Sequence, residues 1–306
     1  MNTNWKAGKL SDLVMFQRGF DITKAEQVAG NIPIISSSGI TSYHNEAKQT
    51  GPAIIIGRKG TLGSVHYYSK DYWPHDTTLW SKELKGEPKF IYYFLKTMKL
   101  EQYDVGNANP TLNRNHIHKL DVPLPPLPTQ QKIARILSAY DDLIENNLKR
   151  IKLLEEMAQI TYEEWFVRMK FPGHEQAVID PETGLPEGWR KKQLVKVSDL
   201  TMGQSPKSEF YNNEQNGLPF HQGVKDYGFR FPSNESWSTE GNRIANRGDV
   251  LFSVRAPVGR LNIAIEKIIL GRGLAAIRDK KGFQSFLFYQ LQKIFFAEDI
   301  MGGGAI

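Results

Sequence analysis

The longest patterned stretch runs from Leu127 to Lys170, and from Thr129 onward it holds neither Pro nor Gly. Apolar residues recur at three-four spacing: Ile133, Leu137, Tyr140, Ile144, Ile151, Leu154, Ala158 and Trp165. Asn147 and Thr161 fill the two remaining seam positions. The pattern predicts a single helix with a coiled-coil-type seam. Thr129 is placed to cap its start, and Pro172-Gly173 ends it. At ~1.5 Å per residue such a helix is roughly 60 Å long, more than a small globular domain needs. Ile136, Leu143, Leu148, Leu153, Met157 and Ile160 widen the apolar stripe, which predicts more than one neighbour.

Outside this stretch the pattern is shorter, β-like, and occurs twice. Gly51–Gly63 falls on Arg247–Gly259 at a shift of 247 − 51 = 196 residues. At the same shift Thr77-Thr78-Leu79 falls on Gly273-Leu274-Ala275, Phe90–Leu95 on Phe286–Leu291, and Gly106 on Gly302. Upstream the shift shortens: Trp5 matches Trp189, and Ser11-Asp12-Leu13 matches Ser198-Asp199-Leu200, so the second copy carries about a dozen extra residues. A fixed internal period is the mark of a repeated structural unit. Each copy has a glycine turn (Arg18-Gly19-Phe20; Met202-Gly203-Gln204) and a Pro-punctuated strand (Ile32–Ile35; Leu218–Phe220). A polar loop follows, then a buried strand (Ala53–Ile56; Asp249–Val254). A short closing helix (Phe90–Lys99; Phe286–Phe296) ends the unit. The predicted fold class is α+β: two similar β-rich domains joined by one long coiled-coil-type helix. The expected divisions are 1–126, the helix at 127–171, a linker at 172–188, and 189–306. Leu120–Pro128, with four prolines, reads as a stiff extended lead into the helix.

Composition narrows the chemistry. The chain has 306 residues, 40% hydrophobic and 24% charged, as a globular protein would. It has no cysteine, which removes disulfides, thiolate metal sites and cysteine nucleophiles. No apolar run reaches the length of a membrane span and the N-terminus lacks a signal-peptide core, so no membrane partner and a cytoplasmic location are expected. The net charge of +6 is mild, but Arg247–Lys281 holds eight basic residues against three acidic ones, a hint of polyanion contact.

Several motifs in order resemble the specificity (S) subunit of type I restriction–modification systems. They are Leu112-Asn113-Arg114, Val122–Leu127, Gln130-Gln131 with Ile133 and Leu137, Asp141-Asp142, Tyr162–Val167 with Phe171-Pro172-Gly173, Asp180–Trp189 and Gly248–Gly259. One small departure is Gln130-Gln131, where the family usually has Glu-Gln. A larger one is the end: the family pattern has a second long helix, and this sequence stops before repeating it. The resemblance implies that each copy is a target-recognition domain reading half of a split DNA sequence. It also implies a non-catalytic subunit that recruits methyltransferase (M) subunits and, through them, a restriction (R) subunit. S-adenosylmethionine, ATP and Mg²⁺ would belong to those partners, and this chain would need no cofactor or metal. With one helix, the apolar stripe is expected to self-associate or to pair with a partner subunit.

Base edges are read by Arg, Lys, Asn, Gln, Ser and Tyr on rigidly presented loops. In the first copy the expected double-stranded-DNA contacts are Ser37, Ser38 and Tyr43 in the loop Ser36–Tyr43, then Arg58, Lys59, His75 and Asn107. In the second they are Gln222, Lys225, Arg255, Arg260 and Arg272. Arg58 and Arg255 are favoured, since each follows a buried strand. Many of these are expected to be ordinary surface residues, with roughly a third touching DNA, mostly at phosphate rather than base. Two other readings stay open: a stand-alone nuclease using Asp71, Glu83 and Lys85, and a shortened regulatory subunit that acts mainly through helix-mediated assembly. His116 and His118 read as packing or surface rather than metal ligands.

Overall fold

Ala53–Ile56 has no polar residue because both of its faces are covered. In the computed structural model, which describes residues 5–104 and 110–296, it lies in a strand with every residue buried. Phe90, Ile91 and Leu95 pack with Ile54 and Ile56 on one face. Ile35, Tyr72 and Trp80 pack with Ala53 and Ile55 on the other. An unbroken apolar run is what such a strand requires. The chain forms two units that divide between Arg150 and Ile151.

In the first unit the strands are β1 (Lys6–Lys9), β2 (Val14–Arg18), β3 (Ile32–Ser36), β4 (Gly39–His44), β5 (Ala53–Gly57), β6 (Val65–Tyr68), β7 (Trp73–Pro74), β8 (Thr78–Leu84) and β9 (Asp121–Leu124). Helices α1 (Pro88–Thr97) and α2 (Arg114–Ile117) precede β9, and α3 (Leu127–Tyr162) follows it. The main sheet has the order β2-β8-β5-β6 and is antiparallel. A second sheet, β4-β3-β7, pairs β3 and β7 in parallel. Strand β9 pairs antiparallel with β1, so the proline-rich lead is in part a strand.

The second unit contains α4 (Leu194–Val197), β10 (Ser198–Met202), β11 (Tyr211–Asn212), β12 (Leu218–His221), β13 (Trp237–Ser238) and β14 (Ile244–Ala245). It continues through β15 (Val250–Ser253), β16 (Leu261–Ile263), β17 (Ile268–Leu270), β18 (Leu274–Asp279) and α5 (Gln284–Phe296). Its main sheet, β10-β18-β15-β16, repeats the order of the first. The repeat is visible in single hydrogen bonds. Gly19 N–H donates to the Thr78 carbonyl and Gly203 N–H to that of Leu274. His75 N–H donates to Ile35 O, and Gly271 N–H to His221 O. Gly19 and Gly203 are required here: a Cβ on either would lie 2.1 Å from a backbone carbonyl oxygen.

These bonds fix the alignment better than the letters did. The shift is 203 − 19 = 184 at the glycine turn, 220 − 34 = 186 at the parallel strand pair, and 196 at the buried strand. Ten of the extra residues therefore lie between β12 and β15, where the second sheet grows to β11-β13-β12-β17-β14. The match of Ser11-Asp12-Leu13 to Ser198-Asp199-Leu200 is out by three. Leu10–Asp12 is a 3₁₀ turn whose counterpart is α4, whereas Ser198–Leu200 already lies in β10.

The helix ends and the polar loop also differ from expectation. The helix starts before Thr129: the Pro126 carbonyl accepts from the N–H groups of Thr129 and Gln130, so Thr129 lies inside the first turn. Its far end leaves the α pitch at Tyr162 and widens into a π turn, Glu163–Val167. There the Tyr162 and Phe166 rings pack on each other and on Phe286. The polar stretch Ser36–Tyr43 is a hairpin rather than a loop, turning at Ser37-Ser38 because Gly39 adopts φ 104°. Residues 171–189 fold back on themselves, with Phe171 stacked on Trp189 at 5.2 Å and Asp180 holding a turn.

Candidate nucleic-acid interface

At one corner of the first unit three segments meet: the β3–β4 turn, the loop after β5, and the turn before β8. Ser37 joins the first two, because its carbonyl accepts from Ser64 Oγ and lies 3.2 Å from His66 Nε2. Arg58 and Lys59 donate backbone N–H bonds to the Thr77 carbonyl, joining the second and third. The structure thus brings Ser37, Ser38, Arg58, Lys59 and His75 together. Tyr43 is exposed on β4, seven residues past Ser36, and pairs with Pro33 away from the turn. Asn107 lies outside the described residues.

Charge at this corner centres on a carboxylate. Asp76 Oδ2 accepts from Arg18 Nη2 at 3.0 Å, and Asp76 Oδ1 is 3.1 Å from His75 Nδ1. Arg58 Nη1 lies 3.4 Å from the Asp76 carbonyl oxygen. Burial holds the Arg58 guanidinium below its ordinary pKa; repulsion from Arg18 adds to this and Asp76 opposes it. Arg18 and Asp76 were not among the sequence candidates. They are 58 residues apart, and only the pairing of β2 with β8 makes them neighbours.

The second unit builds the same corner from different residues. Gly273 N–H donates to the Gln222 carbonyl, Val254 N–H to the Gly273 carbonyl, and Arg272 N–H to Ser205 Oγ. Gln222, Arg255 and Arg272 therefore sit on adjoining turns. Arg255 takes the place of Lys59, 255 − 59 = 196 residues on. The Ser253 hydroxyl braces the loop, donating to the Pro257 carbonyl and accepting from Arg260 N–H. The Arg260 side chain turns to a cleft of ≈ 450 Å³ that Tyr227 and Phe288 also line. Lys225 is exposed and pairs with Glu235 at 3.0 Å.

The long helix is anchored separately in each unit. In the first, buried Gln130 accepts from Glu87 N–H at 3.0 Å and donates from Nε2 to the Pro125 carbonyl at 2.9 Å. Ile133 and Ala134 join the core, and Tyr93 donates to Asp141 at 2.6 Å. In the second, Arg230 Nη1 donates to Glu155 and lies 3.1 Å from the Tyr289 hydroxyl, which itself donates to Glu155 at 2.9 Å. Ala158 and Tyr162 belong to that core. Between the anchors the seam is bare: Leu137 is 39% and Tyr140 64% exposed, and Ile144, Ile151 and Leu154 are likewise exposed. Asn147 is exposed, and Trp165 lies on the π turn, edge-on to Phe166.

Other motifs resolve locally. His118 Nε2 accepts from Phe16 N–H at 2.8 Å, so its ring is neutral, and burial lowers its pKa. Glu83 and Lys85 pair with each other at 3.9 Å. Among the described residues no group of three or more His, Asp or Glu is arranged to hold a metal ion. No described helix is long and apolar enough to cross a membrane.

Residues 2–156, half of the chain, match the family described as type I restriction modification DNA specificity domain. The chain is also 35% identical to a putative type I restriction enzyme specificity subunit, MjaX of Methanocaldococcus jannaschii, over 99% of its own length and 79% of that protein's. The chain belongs to the family of type I restriction–modification specificity subunits. A second member from the same organism, the MjaVIII specificity subunit, is 26% identical over 81% of the chain and 59% of its own length. The fold is similar to the crystal structure of a type I restriction–modification S subunit from M. genitalium. That match has a TM-score of 0.65 at 16% identity and covers 97% of this chain and 81% of that one. The α+β class, with β-rich units and a long helix, is therefore a fold this chain shares with that S subunit.

Proposed function

We propose that this chain is the non-catalytic, sequence-reading subunit of a type I restriction–modification complex, bound to a bipartite target in double-stranded DNA. The repeated corner carries this reading. One scaffold, built twice, presents different Arg, Lys, Gln and Ser side chains from the same three turns. Each unit reads one half of the target, and the helix sets the interval. The 36 residues of α3 make it roughly 54 Å long, about one and a half turns of duplex. Arg and Lys at the corners serve guanine edges and phosphates, and Gln222 suits adenine.

In this reading methyltransferase subunits, and through them a restriction subunit, are recruited to the site. S-adenosylmethionine, ATP and Mg²⁺ act there, in the cytoplasm. The bare seam is covered in the assembly, by a second copy or by a partner subunit, because an apolar stripe of this length is costly to leave in water. Sequencing the methylated positions of host DNA with and without the gene tests the reading. Loss of one bipartite methylation pattern is expected. An unchanged pattern, or DNA cleavage by the purified chain with Mg²⁺ alone, would overturn it. Sedimentation of the chain at micromolar concentration tests the seam: a dimer is expected, and a monodisperse monomer stable in storage counts against self-association.

A further inference from the structure

The carboxylate at the first unit's corner sits where a DNA-reading surface should avoid negative charge. Asp76 has only 16% of its side chain exposed, whereas Arg18 has 49%. The carboxylate is thus turned inward and the guanidinium outward. Asp76 spends Oδ2 on a single guanidinium nitrogen, Arg18 Nη2 at 3.0 Å, and turns Oδ1 to His75. A guanidinium has five N–H donors in a rigid fork, so this leaves donors for a second partner. Asp21 Oδ2, at 3.5 Å, lies on the same nitrogen.

The backbone on both sides is pinned. The Arg18 carbonyl accepts from Trp80 Nε1 at 3.3 Å, and the neighbouring Gly19 N–H donates to Thr78. His75 N–H is tied to Ile35, and the Thr78 hydroxyl donates to the His75 carbonyl at 2.6 Å. A long side chain held at one nitrogen from a fixed backbone has already lost the rotamer freedom that base reading would otherwise cost. Bidentate recognition of guanine O6 and N7 needs this kind of orientation.

The repeat supplies an internal comparison. By the hydrogen-bond alignment, Arg18 corresponds to Met202 and Asp76 to Arg272. The Arg/Asp pair of the first unit becomes Met/Arg in the second, so the guanidinium comes from the opposite member. Arg272 also has its backbone tied, to Ser205 Oγ at 3.2 Å. A pair kept only to hold the scaffold together would have no reason to change in this way between two copies of one sheet order.

We propose that Arg18 is a guanine-reading residue of the first unit, that Asp76 is its positioning residue, and that Arg272 takes the reading role in the second unit. The two units then read unlike half-sites. The inference rests on the DNA-reading function proposed above. It is tested by selecting duplexes from a randomised pool with the full-length chain and with R18K, R18A, D76N and R272A. R18K keeps the charge and the stem but loses the fork, so it serves as the fold-preserving probe.

For R18A the expected result is loss of one guanine preference in one half-site, with a roughly 5- to 150-fold drop in affinity for the selected duplex; R18K, which can still donate to guanine but lacks the fork, should weaken the same preference by less. D76N should weaken preference at that same base without moving the salt dependence of binding. R272A should leave that half-site intact and relax the other. If R18A retains every base preference, or weakens all duplexes alike and flattens the salt dependence by about one unit, Arg18 does not read a base and the inference is overturned. If the unaltered chain selects no sequence, the DNA-reading function itself falls.

Discussion

Arg230 ties the long helix to the rest of the second unit through Glu155, and its removal is an informative perturbation. Its guanidinium sits 4.7 Å above the Phe288 ring and bonds Glu155 on the helix. The pair is 19% and 23% exposed, largely but not fully withdrawn from water. Breaking a buried pair by deleting one partner costs ~3–5 kcal/mol. The residual exposure screens the charge left behind and reduces this to about 2–3 kcal/mol. Loss of the cation–π contact adds ~0.5–1 kcal/mol. R230A should therefore destabilise the second unit by about 3 kcal/mol. E155A should cost about 2 kcal/mol, because Tyr289 and Arg230 lose a shared acceptor. The double variant should fall short of the sum by at least ~1 kcal/mol, since the two residues act through one contact. Urea unfolding measures the totals. Hydrogen exchange at the helix amides from Ile151 to Tyr162 localises them, because the chain has two units and need not unfold in one step. A coupling energy below about 0.3 kcal/mol would make the network an ordinary surface ion pair and refute the anchoring argument.

Replacing Gln130 by the Glu usual in the family should cost about 1–3 kcal/mol at pH 8, because a carboxylate cannot donate to the Pro125 carbonyl. The loss should shrink towards pH 5, where a protonated Glu regains a donor; an unchanged melting temperature at pH 8 would contradict this. His118 is neutral in the fold and its pKa is lowered, so the unfolded chain binds the proton more readily. The first unit should lose stability as pH falls below about 6.5, and H118Q should flatten that part of the melting curve against pH. G19A and G203A should each unfold their own unit or cost more than ~3 kcal/mol, as seen by circular dichroism. The added Cβ meets a backbone carbonyl at 2.1 Å, and neither strand can retreat without losing its ladder.

What the letters alone determined is whatever depends on neighbours in sequence. The three-four spacing specifies a helix wherever it occurs, since side chains three and four apart share a face. The unbroken run Ala53–Ile56 specifies a strand covered on both sides. The matching glycines and apolar runs at one shift specify two copies of a unit, and the ordered motifs identify the family. Part of the corners was legible for the same reason: Ser37, Arg58, Lys59, Gln222, Arg255 and Arg272 lie beside strand ends.

Only the tertiary structure decided the rest, because the partners are distant in sequence. Arg18 lies at the end of a strand whose glycine turn reads as scaffold, and nothing near it announces Asp76. A signal was present, since the residue before that glycine is Arg in one copy and Met in the other, but its meaning needs the pairing of β2 with β8. Gln130 and Glu155 look like solvated helix positions until Pro125, Glu87, Arg230 and Tyr289 are placed against them. The helix stripe shows the division most clearly. Its period follows from the sequence, but which apolar residues are taken by the chain's own cores, as Ile133 and Ala158 are, and which stay open, as Tyr140 to Leu154 do, follows from where each unit closes around it.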